Sequence, residues 1–206
     1  ARTMTTLYLI RHARSTWNAE RRMQGWADPP LDDVGQRQAQ ALAERLKDEA
    51  FHAIYSSPLA RARQTAQAIA AYHNLPIHFD ERLRERNLGE WTGLTGSEAD
   101  ERFPEVRSNG DWRIDGPPGG EGQAEVTARA AAAFADILAA HPDDATAVAV
   151  VTHGGTLGAY LTHLLGLPPG SPVHFAFGNT AIARVRVQNG HVNLLGLGDA
   201  WHATAH

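Results

Sequence analysis

The sequence predicts an α/β three-layer α/β/α sandwich with a mostly parallel central sheet and an antiparallel edge. Three observations carry that prediction. Short, apolar, β-prone runs at residues 5–10 (TTLYLI), 53–56 and 147–151 alternate with helical stretches. The run at 147–151 is uninterruptedly apolar, as suits the centre of a parallel sheet. Residues 180–187 and 192–197, joined across 188–191 (QNGH), read as a hairpin and hence as the antiparallel edge. The 206 residues show no repeat and no linker, so we read one domain over 1–206, with residues 81–122 as an irregular cap over the site.

The elements follow in order. Residues 11–30 are polar and end in Asp28-Pro29-Pro30, which forbids a continuing helix. Asp32 then caps a helix reaching to about residue 49. Its Val34, Ala39, Leu42, Ala43 and Leu46 form one apolar stripe, with Arg37, Gln38, Glu44 and Lys47 toward water. After the second strand, Ser57-Pro58 opens an Ala-rich helix from Leu59 to about Tyr72, ended by Asn74-Leu75-Pro76. Residues 77–79 form a weak third strand. The Gly-rich stretch 81–122 holds a short helix at 96–103 and a loop at 115–120. Residues 125–140 are Ala-rich helix. His153-Gly154-Gly155 is the turn after the strongest strand, and 156–165 the next helix.

Composition narrows the chemistry. The absence of Cys excludes a disulfide framework, a zinc–cysteine site, an iron–sulfur cluster and a thiolate nucleophile. A net charge of −4 argues against nucleic acid as a partner. No apolar run approaches the ~18 residues of a membrane span, so a membrane is not expected as a partner either. The first fifteen residues lack a long apolar stretch, and the expected location is cytoplasmic. An oligomer is compatible with the sequence but not readable from it.

Three polar groups stand just past strand ends: Arg11-His12 after the first strand, Arg61 at the start of the helix after the second, and His153 after the central strand. Ligands of open α/β sheets bind outside the carboxyl ends of the strands, so these residues are expected to converge on one crevice. Two Arg and two His without a matching carboxylate cluster suit a dianion, because guanidinium groups pair bidentately with phosphate oxygens.

Here the chain resembles a known family. LIRHARSTWN (9–18), SSPLARARQTA (56–66), LRERNLGEWTG (83–93) and VTHGG (151–155) look like the successive motifs of the histidine phosphatase superfamily, also called phosphoglycerate mutase-like. The match runs from about residue 7 to residue 187. The resemblance implies that His12 Nε2 attacks phosphorus and becomes phosphohistidine. Arg11, Arg61 and His153 would hold the equatorial oxygens, and Asn18 would donate a further hydrogen bond. Glu85 would protonate the leaving oxygen and then deprotonate the hydrolytic water. It implies a small phosphorylated substrate, with no cofactor and no metal. Two positions depart from the commonest pattern. Ala13 replaces the usual Gly after the nucleophilic His, and would cost on the order of 1 kcal/mol if its φ were positive. Gly122 stands where many relatives have Ser, which leaves the role of Glu121 open.

Competing readings are bland ones. His12 alone would read as a satisfied strand-end histidine, and Arg11 as a surface pair. Glu85 competes with Glu81 and Glu90, and all three could merely neutralise Arg82, Arg84 and Arg86. His52, His73, His78 and His141 are expected in solvent at element ends, and His202 and His206 in the tail. Trp17, Trp26, Trp91, Trp112, Phe103, Phe175 and Phe177 fall around the motifs, some as core and some at the substrate mouth. Three functions follow. The first is a phosphomonoesterase. The second is a phosphoglycerate mutase; by the resemblance, mutases carry Glu-Arg-His-Tyr where this chain has Glu85-Arg86-Asn87-Leu88, and have a longer insertion and tail. The third is a non-catalytic phospho-ligand binding module. The resemblance favours the first.

Overall fold

The computed structural model describes residues 4–108, 111–142, 145–168 and 170–203. In chain order the elements are β1 (Met4–Arg11), α1 (Thr16–Ala19), α2 (Asp33–Leu46), β2 (Phe51–Ser56), α3 (Ala60–His73), β3 (Ile77–Phe79), α4 (Gly96–Arg102), α5 (Pro104–Ser108), α6 (Trp112–Asp115), α7 (Gln123–Ala140), β4 (Thr146–Thr152), α8 (Gly154–Leu164), β5 (Ile182–Gln188) and β6 (His191–Asp199). The sheet order is β3-β2-β4-β1-β5-β6. The β3–β2, β2–β4 and β4–β1 pairs are parallel, and the β1–β5 and β5–β6 pairs are antiparallel. The mostly parallel sheet with an antiparallel edge is thus present, and β4 lies inside it as its apolar run demands.

Alternation along the strands feeds two cores. Leu7, Leu9, Val148 and Val150 face α7 and α8, packing against Phe134, Ile137, Leu157 and Leu161. Tyr8, Ile10, Ala149 and Val151 point the other way, onto Leu42 and Leu46 of α2 and Ala62, Ala66 and Ile69 of α3. One helix pair covers each face, which makes the third layer. Among the described residues no helix is long and apolar enough to cross a membrane.

Five details differ from the sequence reading. In α2 the buried stripe uses Gly35 rather than Val34, which is half-buried. A Cβ at Gly35 would strike the Arg14 carbonyl, so the helix start lies directly on the loop after β1. In residues 81–122 the helix expected at 96–103 is present as α4, but the stretch also holds 3-10 turns at Glu81–Leu83 and Gly89–Trp91 and the short helices α5 and α6. Helices under two turns leave no periodic stripe to read. Gly154 and Gly155 belong to α8, with His153 as its N-cap, instead of forming a turn ahead of it. His202 is buried, not a solvated tail residue, with Nδ1 2.7 Å from Arg45 and Nε2 3.0 Å from Thr180 Oγ1. His73 is also only half-exposed, packed edge-on to Phe51. His206 lies outside the described residues.

Candidate active site

Arg11 ends β1, Ser56 ends β2 and Thr152 ends β4, three neighbouring strands whose carboxyl ends open together. His12 follows β1 with its N–H on the Thr152 carbonyl at 2.9 Å. His153 follows β4, and the two imidazole centroids stand 5.1 Å apart. The structure therefore brings together residues 141 positions apart in the chain, as the strand-end argument expects.

Each ring has a defined setting. His12 Nδ1 lies 2.7 Å from the Ala13 carbonyl. A carbonyl only accepts, so Nδ1 carries the proton and Nε2 keeps its lone pair. Burial, reinforced by the Arg61 and Arg11 charges, holds the His12 pKa well below its ordinary value, so the ring is neutral at pH 7. His153 Nε2 lies 2.8 Å from Ser57 Oγ, and its pKa is also driven well down, by burial and then by Arg61. Ala13 does not have positive φ, so the missing glycine costs no backbone strain. Its N–H donates to Thr65 Oγ1 at 3.0 Å.

The cations are just as fixed. Arg61, fully buried in the first turn of α3, donates from Nη1 to the Ala27 carbonyl at 2.8 Å and from Nη2 to the Gly25 carbonyl at 2.9 Å. Burial brings its pKa down to about 10, which leaves it cationic at pH 7. Arg63, two residues on, faces solvent. Arg11 donates from Nη1 to the Phe177 carbonyl, and its pKa is lowered by burial. Arg11 Nε, Arg61 Nε and His153 Nδ1 are buried without a hydrogen-bond partner. Buried polar atoms are normally satisfied, so three such atoms on one site ask for a ligand that supplies oxygens. Asn18 is less free than expected: its Oδ1 accepts from the Ser15 N–H at 3.1 Å in a capping box and from Asn179 Nδ2 at 3.4 Å. Only its Nδ2 end is left to donate.

Glu85 is separated from its rivals by geometry. Its Oε2 accepts from the Gly155 N–H at the start of α8 (3.2 Å), and its Oε1 from the Arg86 N–H at 2.8 Å. Glu81 and Glu90 are exposed, and Glu81 pairs with Arg84 at 3.2 Å. Among the described residues no guanidinium of Arg82, Arg84 or Arg86 bonds the Glu85 carboxylate. Arg82 takes Asp80 and Asp136, and Arg86 takes the carbonyls of Trp112, Arg113 and Glu121. No direct ion pair with these three arginines therefore ties up the Glu85 carboxylate, although its charge acts on Arg86, Arg11 and Arg61.

Comparison with known proteins agrees with this geometry. A model of the histidine phosphatase superfamily (branch 1) matches residues 7–200. The chain belongs to that superfamily. It is 36% identical over 190 residues to the probable phosphoglycerate mutase GpmB of Salmonella choleraesuis, covering 90% of this chain and 86% of that one. Bacillus stearothermophilus YhfR superposes with a TM-score of 0.86 at 35% identity, over 97% of this chain and 99% of that one. A mycobacterial glucosyl-3-phosphoglycerate phosphatase gives 0.84 at 31% identity, over 95% and 99%.

In this member of the histidine phosphatase superfamily a groove of about 490 Å³ runs from Gly154 and Gly155 outward. Trp112, Ile114, Val126 and Phe175 line it, with Arg113 and His174 among its polar members. Trp112 and Phe175 line this groove, whereas Trp91 and Phe177 are buried. Among the described residues no three His, Asp or Glu side chains gather in a way that would hold a metal ion. Sequence reasoning passed over Ser57, which orients His153, although it stands inside the second motif. It also left Glu121 open and missed Arg129. Their side chains pair at 2.7 Å, and Arg129 is the only Lys or Arg in α7, a signal that was there to find.

Proposed function

We propose that this protein is a phosphomonoester hydrolase that works through a phosphohistidine at His12. The observation that carries the reading is the setting of His12: a buried ring whose Nδ1 lies 2.7 Å from the Ala13 carbonyl, which leaves the lone pair to Nε2, with the charges of Arg61 and Arg11 acting on it. A neutral imidazole is nucleophilic, and the neighbouring charge stabilises a transferring dianion.

In the proposed cycle Nε2 attacks phosphorus in line with the ester oxygen. The N–P bond forms as the P–O bond to the alcohol breaks, and the leaving oxygen takes the Glu85 proton. Water then gives its proton to the Glu85 carboxylate and attacks phosphorus. The P–N bond breaks, and inorganic phosphate leaves with His12 and Glu85 restored. Arg11, Arg61 and His153 Nδ1 hold the non-bridging oxygens, with Asn18 Nδ2 as an outer donor. The alcohol part lies in the groove toward Trp112 and Phe175, whose volume is of the size that takes a small organic ligand.

A second reading, mutase, is favoured by the GpmB relationship. The stretch Glu85-Arg86-Asn87-Leu88, where by the resemblance mutases carry Glu-Arg-His-Tyr, argues against it. A screen of the purified protein across phosphorylated sugars, glycerates and aryl phosphates tests the proposal. Release of inorganic phosphate is expected. Conversion of 3-phosphoglycerate to 2-phosphoglycerate without phosphate release would favour the mutase. Binding without turnover of any substrate would leave only a phospho-ligand module.

A further inference from the structure

We infer that Arg129 and Glu121 are positioning residues for the Glu85 proton donor, a role that rests on the hydrolase reading above. Residues 85–88 adopt no regular secondary structure, so their backbone groups must be satisfied by something other than a ladder or helix. Arg129 satisfies the Glu85 carbonyl and the carbonyls that lead into the stretch. Its Nη1 donates to the carbonyls of Arg82 and Arg84, both at 2.8 Å, and its Nη2 to the carbonyl of Glu85 at 2.9 Å. The same guanidinium grips Glu121 bidentately, Nε to Oε1 at 2.7 Å and Nη2 to Oε2 at 2.8 Å. Glu121 Oε2 in turn accepts the Asn87 N–H at 2.7 Å. One ion pair therefore holds the backbone on both sides of Glu85.

The pair is well sheltered, with side-chain exposures of 16% and 15%. Burial alone would raise the Glu121 pKa, but the bonds from Arg129 and the Asn87 N–H outweigh it and hold the carboxyl below its ordinary range. Thr156 Oγ1, donating to the Arg84 carbonyl at 2.6 Å, ties the same loop to α8. Arg129 sits in α7 and Gly155 in α8, two helices packed on one face of the sheet. The Glu85 carboxyl is thus placed by a rigid frame: its backbone is clamped from α7, and its oxygen docks on α8. Lysine cannot replace Arg129 here, because a single ammonium cannot reach three carbonyls and both Glu121 oxygens at once.

A double-mutant cycle separates positioning from mere stability. The variants are Arg129→Lys, Glu121→Gln, Glu85→Gln and their pairings with Glu85→Gln, each assayed on an alkyl phosphate and on p-nitrophenyl phosphate. A misplaced proton donor harms the poor leaving group most. We expect Arg129→Lys and Glu121→Gln to lower the alkyl-to-aryl ratio of kcat/KM by ~10–10²-fold. In the Glu85→Gln background the same changes should lower the ratio little further. Equal slowing of both substrates, in step with a lowered Tm, would overturn the inference, as would a ratio that falls by the same factor with and without Glu85. If Arg129→Lys does not fold, Glu121→Gln decides by the same two readouts. A Glu85→Gln variant that shows no leaving-group discrimination would instead overturn the general-acid reading itself, and the inference with it.

Discussion

The Glu85 carboxylate rests on the Gly155 N–H so closely that a side chain at Gly155 would occupy its place. The hydrogen bond is 3.2 Å, and a Cβ built on Gly155 collides with Glu85 Oε1. The second glycine after His153 thus has a reason beyond helix geometry: it leaves room for the acid of a different motif. The atom in the way is the end of a flexible side chain, so the conflict is relieved by moving Glu85 and not by moving the backbone.

Gly155→Ala should therefore slow the enzyme without unfolding it. Alanine favours helix over glycine by up to about 1 kcal/mol, so thermal stability should hold or rise slightly. The displaced carboxyl should lower kcat on alkyl phosphates by ~10–10²-fold. Calorimetry beside steady-state kinetics checks both halves, and unchanged kcat at unchanged Tm would mean that the carboxylate does not need this seat.

The buried histidines set a pH dependence. The pKa values of His12 and His153 are both depressed in the folded protein, burial being the main cause. Below the ordinary His value of ~6.5 the unfolded chain takes up protons that the folded chain refuses. Their contribution to stability is therefore fully present above about pH 6.5. It is lost as pH falls from there toward the depressed folded values, by up to ~1.4 kcal/mol per pH unit for each ring. Urea unfolding of the wild type and of His12→Ala between pH 5 and 8 measures the difference. A His12→Ala profile as steep as that of the wild type would remove His12 from this account.

Positive charge at the site comes from Arg11 and Arg61, both still cationic at neutral pH despite burial. Activity should accordingly survive exhaustive EDTA dialysis. A loss that Mg²⁺ or Zn²⁺ restores would show that these charges are not sufficient for transfer.

How much could be read from the sequence follows from the range of the forces involved. β1, β4 and the hairpin are legible because an apolar run or an Asn189-Gly190 turn is a local signal. His12, Arg61 and His153 are legible because strand ends are predictable and ligands gather there. The division of labour among Glu81, Glu85 and Glu90 is not local. It depends on which carboxylate meets the start of α8, a packing outcome between residues 70 positions apart. Arg129 and Glu121 lie close in the chain, and the lone cation of α7 is a local signal; what is not local is their hold on the Arg82, Arg84 and Glu85 carbonyls more than 40 positions away. His202 looked like a tail because its partners, Arg45 and Thr180, are distant in the chain.

The central claim is that His12 carries the phosphoryl group, and trapping that intermediate tests it most directly. Enzyme mixed with a ³²P-labelled aryl phosphate, whose leaving group needs little help from an acid, and quenched in base should retain label that acid removes, and peptide mapping should place it on His12. Glu85→Gln should accumulate more of it, since the second step then lacks its base, and His12→Ala should show none. Label on His153, or turnover by His12→Ala at the wild-type rate, would contradict the account.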